Sequence, residues 1–115
     1  MNANLLPLSE PSFYILLSLS AGRKHGYAIL KDVPVLSQAA VKLSTSTLYE
    51  ALSRMQEQGL ITRVENPPEP TGGPGLPRKA YQLTALGRRT LEAELARLRR
   101  QLQAGQQILG QEPQS

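Results

Sequence analysis

Twelve residues from Asn66 to Pro77, NPPEPTGGPGLP, hold five prolines and three glycines. Proline lacks the amide hydrogen that helices and central strands need, and glycine loses the most chain freedom on ordering. The stretch therefore excludes both structures, divides the 115-residue chain and must run over the surface as a loop. Ile61 to Glu65 before it and Lys79 to Leu83 after it alternate in character. Two alternating segments joined by such a loop predict an antiparallel hairpin.

Four helices are expected around the hairpin. The first spans Ser9 to Leu19, with Ser9 as cap, Glu10 at the positive end of the dipole and Pro11 in the first turn. It is apolar on most sides, which predicts burial. The second runs from Gly26 to Asp32, because Pro34 disfavours helix at Val33. A short strand is expected near Val41 to Leu43. The third lies in STSTLYEALSRMQEQG, where Thr47 and Glu50 match a capping box, Thr45 and Ser46 are alternative caps, and Gly59 suits the left-handed closing position. The fourth starts at the cap Thr84 and runs to Leu109. Leu91, Leu95, Leu98, Leu102 and Leu109 form a coiled-coil-like seam on it, interrupted at Gly105. A helix this long overhangs three short ones, so the seam is expected to join two subunits.

Composition removes several kinds of chemistry. There is no cysteine and one histidine, so disulfides, thiolate metal sites and multi-histidine zinc sites are not expected. Glu92 and Glu94 point in different directions on a helix and make no acid–base pair, and GGPG lacks the lysine and hydroxyl residue of a phosphate loop. No enzyme activity and no cofactor are expected. Without a signal sequence or a long apolar run, the expected compartment is the cytoplasm, with no membrane contact. The net charge of +4 suits a polyanion-binding protein.

Three short helices followed by a hairpin is the order of a winged helix-turn-helix. The fold class expected is mainly α with a small antiparallel β-wing and a long C-terminal dimerisation helix. In such a fold the later helix of the motif enters the major groove of double-stranded DNA by its N-terminal end. Here that end carries Ser44, Thr45, Ser46 and Thr47, followed by Tyr49, Ser53 and Arg54. Hydroxyls and free amides there suit phosphate oxygens, while Arg54 can reach phosphate or guanine. Arg63, Arg78 and Lys79 on the wing strands are the remaining candidate DNA contacts.

From about Leu5 to Leu102 the chain resembles the PadR-like family of transcriptional regulators. The segments that carry the resemblance are LSEPSFYILLSL, HGYAIL, STLYEALSRMQEQGLI and RKAYQLTALGRRTLEAEL, in that order and spacing. By position, His25, Gly26 and Tyr27 match the family's His-Gly-Tyr. Thr47, Leu48 and Tyr49 match the Thr-Leu-Tyr of its recognition helix, and Tyr81, Leu83, Thr84 and Gly87 match its Tyr-x-Leu-Thr-x-x-Gly. Ser46 stands where the family usually has glycine, and the wing loop is unusually rich in proline. The resemblance implies a repressor of the family's shorter type, with no separate effector domain.

The organisation expected is a DNA-binding domain over residues 1–83, a dimerisation helix over 84–109 and a disordered tail over 110–115. Phe13, Leu16, Leu91, Leu95, Leu98 and Leu102 are the expected dimer contacts. Tyr27 and Tyr81 are read as core aromatics, Tyr49 as packing or phosphate contact, and His25 as structural. Arg88, Arg89, Arg97, Arg99 and Arg100 are read as a solvated face beside the seam. Two rival functions stay open. One is a winged-helix adaptor that binds proteins, to which Glu50 and Glu57 lend some weight. The other is a sensor that takes a small hydrophobic or aromatic effector at the dimer interface.

Overall fold

The computed structural model describes residues 5–65 and 79–111. The element order is α1 (Glu10–Ser20), β1 (Lys24–His25), α2 (Gly26–Leu36), α3 (Thr45–Glu57), β2 (Ile61–Glu65), β3 (Lys79–Leu83) and α4 (Ala85–Leu109). The hairpin strands have the expected bounds, and the sheet is antiparallel in the order β1-β3-β2. The third strand, β1, is two residues long, too short to show a period in the sequence. The loop expected over residues 66–77 lies outside the described residues, as do Arg78 and most of the tail.

α1 begins where its cap predicts: the Ser9 hydroxyl accepts the Ser12 amide at 3.2 Å. Ile15, Leu16 and Leu19 go into a core shared with Ile29 and Val33 of α2, Leu48, Leu52 and Met55 of α3, and Ile61, Tyr81 and Leu91. Among these sits a polar group of three. The buried Ser18 hydroxyl donates to the Asp32 carboxylate at 2.7 Å, and the Lys24 ammonium pairs with the same oxygen. This links α1, β1 and α2, and the Lys24 hydrogen bond holds Asp32 below the usual carboxylate range.

α2 does not stop before Pro34 but continues through it to Leu36. The reason is burial. Val33 is fully enclosed in the core, and burying such a side chain is worth roughly 1.5–3 kcal/mol. That is of the order of the ~3 kcal/mol a proline costs inside a helix. Beyond its C-cap Ser37, Gln38 and Ala39 take left-handed φ of 54° and 68° and turn the chain away. The strand expected near Val41 to Leu43 does not form. Instead the Ser37 hydroxyl accepts the Val41 amide at 2.9 Å, which turns the chain into the core before it can extend.

α4 has two different halves. Gly87, Thr90, Leu91 and Glu94 are buried against the rest of the chain, whereas every residue from Leu98 to Gln111 is exposed. Leu16 and Leu91, expected at a subunit interface, are 0% and 4% exposed within their own chain. They belong to the monomer's core and have almost no surface left for a second copy. Among the described residues no helix is long and apolar enough to cross a membrane.

Glu94 is enclosed yet charged. It takes a two-pronged bond from Arg97, at 2.6 and 2.9 Å, and the Leu8 amide at 3.1 Å, tying the N-terminal segment to α4. Arg97 is thus a structural partner and not part of a solvated face. Its hydrogen bond outweighs burial and holds the Glu94 carboxyl below its ordinary value. The folded pKa of both Asp32 and Glu94 lies below the unfolded one, so their stabilisation is complete above the ordinary carboxyl range. It is lost as pH falls through the folded values. Thermal melts are therefore expected to hold level from neutrality to about pH 5 and fall below about pH 4. Glu94→Gln should melt lower than the parent at pH 7 and converge with it in acid. Equal melting at pH 7 would show that the pair contributes no stability.

Candidate nucleic-acid interface

The cap of α3 is Ser44, not Thr47. The Ser44 hydroxyl accepts the Thr47 amide at 3.1 Å and donates to the Thr47 hydroxyl at 2.9 Å. The helix therefore starts three residues earlier than the Thr47–Glu50 spacing implies. A serine–threonine run offers several caps of similar strength, and the chain leaving Val41 selects the first. The outcome is a helix end at which Ser44, Thr45, Ser46 and Thr47 are all exposed.

α3 is cleanly divided. Leu48, Ala51, Leu52 and Met55 hold it in the core, and Tyr49, Glu50, Ser53 and Arg54 are exposed on the other side. Tyr49 is 42% exposed, and part of its ring is in use. A methyl group built on Gly26 would overlap the Tyr49 hydroxyl and stand 2.8 Å from Cζ. Glycine at position 26 thus lets α2 lie directly against this ring, and a larger residue would have to displace the end of the Tyr49 side chain. His25 caps α2 by position, with Nδ1 3.3 Å from the Lys79 carbonyl.

The wing register pairs Arg63 with Tyr81 and Glu65 with Lys79. Directly opposed residues project from the same sheet face, so Arg63, Tyr81 and Lys79 share one. Tyr81 is 4% exposed, and burial pushes its hydroxyl up, with Tyr49 acting in the same direction and Arg63 opposing. Tyr81 enters the core that α3 also lines, so Arg63 and Lys79 lie on the core-facing side of the sheet. Arg63 and Lys79 are exposed. The structure thus leaves both the hydroxyl end of α3 and two wing cations exposed.

Two features escaped the sequence reading. Lys42 is exposed two residues before the cap of α3, in a segment expected as strand. Tyr27 was expected in the core and is 68% exposed, with the Lys31 ammonium 5.2 Å from its ring centre. The spacing of four between Tyr27 and Lys31 was the available signal. The acidic Glu50 and Glu57 are also exposed on α3, so the potential of this helix is mixed and its cations stand at the edges.

A family model described as the transcriptional regulator PadR-like family matches residues 15–93. The chain belongs to the PadR-like family. No curated protein matches the sequence. Among solved structures, a PadR family transcription regulator from Clostridium difficile R20291 is 28% identical, with 88% of this chain and 99% of that one covered and a TM-score of 0.71. Bacillus subtilis PadR in complex with operator DNA is 26% identical, with a TM-score of 0.63. That match covers 73% of this chain and 45% of the Bacillus protein. The circadian clock associated protein Pex from Anabaena is 26% identical, with 85% and 81% covered and a TM-score of 0.60. The PadR-like winged helix expected from the sequence is thus the fold observed, with the long C-terminal helix in place.

Proposed function

We propose that this PadR-like regulator is a cytoplasmic repressor that binds a pseudo-palindromic operator as a homodimer. The observation that carries the reading is the exposed hydroxyl end of α3, on a helix anchored by a buried face, together with exposed cations on the wing strands. Ser44, Thr45, Ser46, Thr47, Tyr49, Ser53 and Arg54 enter the major groove, and Arg63, Arg78 and Lys79 meet the backbone beside it. The Bacillus relative bound to operator DNA supports the same use of the fold.

The dimer is made by the projecting half of α4. Leu95, Leu98 and Leu102 are 45%, 37% and 59% exposed and line an open groove with Ala96 and Arg99. Phe13, half-buried on α1 at the edge of the core, is a further contact in this reading. Two-fold pairing sets the recognition helices about 34 Å apart, one turn of the duplex, so that repression follows from occupying the operator.

Selection of bound sequences from a random duplex pool, repeated across a salt series, tests the reading. The expected result is a two-fold symmetric motif whose affinity falls steeply with salt. Weak binding to every sequence without a motif would overturn it.

A further inference from the structure

The exposed ring of Tyr27 lies outside the core. α2 buries Gly26, Ile29 and Val33, and Tyr27 and Lys31 project from the opposite side. An aromatic side chain left 68% exposed forgoes the burial that makes such residues useful in a core. Yet it is not loose, because the Lys31 ammonium stands over its face at 5.2 Å, within reach of a cation–π attraction. The pair is an oriented hydroxyl next to an oriented positive charge. Among the described residues Lys31 makes no ion pair.

Its location gives it a use. Gly26, the residue before Tyr27, lies directly against the Tyr49 ring of α3. α2 therefore packs through its buried side on the helix that we place in the major groove, and the Tyr27–Lys31 pair stands on the outer side of α2. In a helix-turn-helix, the helix before the recognition helix crosses the sugar–phosphate backbone. A tyrosine hydroxyl and a lysine ammonium are both phosphate donors, and phosphate contacts set the orientation of the protein without reading sequence.

We infer that Tyr27 and Lys31 together grip a backbone phosphate on the strand bordering the groove entered by α3, fixing the angle at which the recognition helix lies. The inference rests on the operator-binding reading. Both side chains are exposed, so their replacement leaves the core intact, and thermal melts should match the parent.

The test is fluorescence anisotropy of the full chain with duplexes of several unrelated sequences across a salt series. The variants are Lys31→Gln, Tyr27→Phe and Tyr27→Ala. Lys31→Gln should weaken binding about 3- to 10-fold on every sequence alike and make the salt slope shallower by about 0.9 for each phosphate no longer neutralised. Tyr27→Phe keeps the ring under Lys31 and should cost less than Tyr27→Ala, which removes ring and hydroxyl together. Parental affinity and slope in all three variants would overturn the inference while leaving operator binding in place. A loss confined to particular sequences would overturn it in favour of base contact. A shift in sedimentation on Tyr27→Ala would overturn it in favour of a subunit contact. If the parent protein binds no duplex, the operator reading fails and the inference with it.

Discussion

Gly87→Ala should destabilise the protein by about 2–5 kcal/mol, although alanine is the better helix former. A methyl group there would overlap the Leu60 carbonyl oxygen and stand 3.0 Å from both the Leu60 carbonyl carbon and Leu83 Cδ1. Backbone cannot swing aside as a flexible side chain would, so the first turn of α4 must move. That turn is held by the Thr84 amide on the Leu60 carbonyl at 3.0 Å and by the Thr84 hydroxyl, which accepts the Gly87 amide at 2.9 Å. Displacement weakens both, so the loss of a cap adds to the cost of overpacking. Gly105→Ala provides the contrast, since nothing lies within 4 Å of the added carbon. There the helix preference acts alone and should stabilise by roughly 0.5–1 kcal/mol. Urea unfolding at matched protein concentration measures both changes. An unaltered midpoint for Gly87→Ala would refute the close approach of α4 to Leu60.

Leu98→Glu combined with Leu102→Glu should convert the protein to a monomer and lower operator affinity by about 10²–10⁴-fold, the usual advantage of two linked half-sites. The two leucines are exposed and belong to the half of α4 without neighbours in its own chain, so the monomer should remain folded. Sedimentation velocity and circular dichroism separate association from folding. The same change at Leu16 or Leu91 would unfold the chain, because these two are enclosed. A double variant that sediments as the parent does would remove α4 from the dimer interface.

The contrast between these leucines marks how far the pattern of residues reaches. The seam was legible, since Leu91, Leu95, Leu98 and Leu102 recur at helical spacing. Spacing says that the residues share a face but not what covers it. α4 packs on α1 and β3 only through its first half, so the same stripe is in the core at Leu91 and exposed from Leu95. Leu16 was misplaced for a related reason: α1 is apolar on most sides, and nothing local says which side meets its own subunit. The recognition surface followed the same division. Its hydroxyl and basic residues were identified from the run at the start of α3, while the exposure of Tyr27 contradicted an aromatic-in-core expectation that rests on residue type alone.

By itself the sequence determined the elements whose causes are local. Caps at Ser9 and Thr84 mark two helix starts, alternation marks both hairpin strands, and Gly59 at φ 78° marks the end of α3. Together with the four family segments, these specify a winged helix with a long final helix. Tertiary structure alone decided the rest. It kept α2 helical through Pro34, selected Ser44 among several caps, added β1 to the sheet and paired the enclosed Glu94 with Arg97 and Leu8. Each of these is a choice between local alternatives lying within about 3 kcal/mol of one another. Burial of a single side chain supplies an energy of that size, and it depends on neighbours far away along the chain.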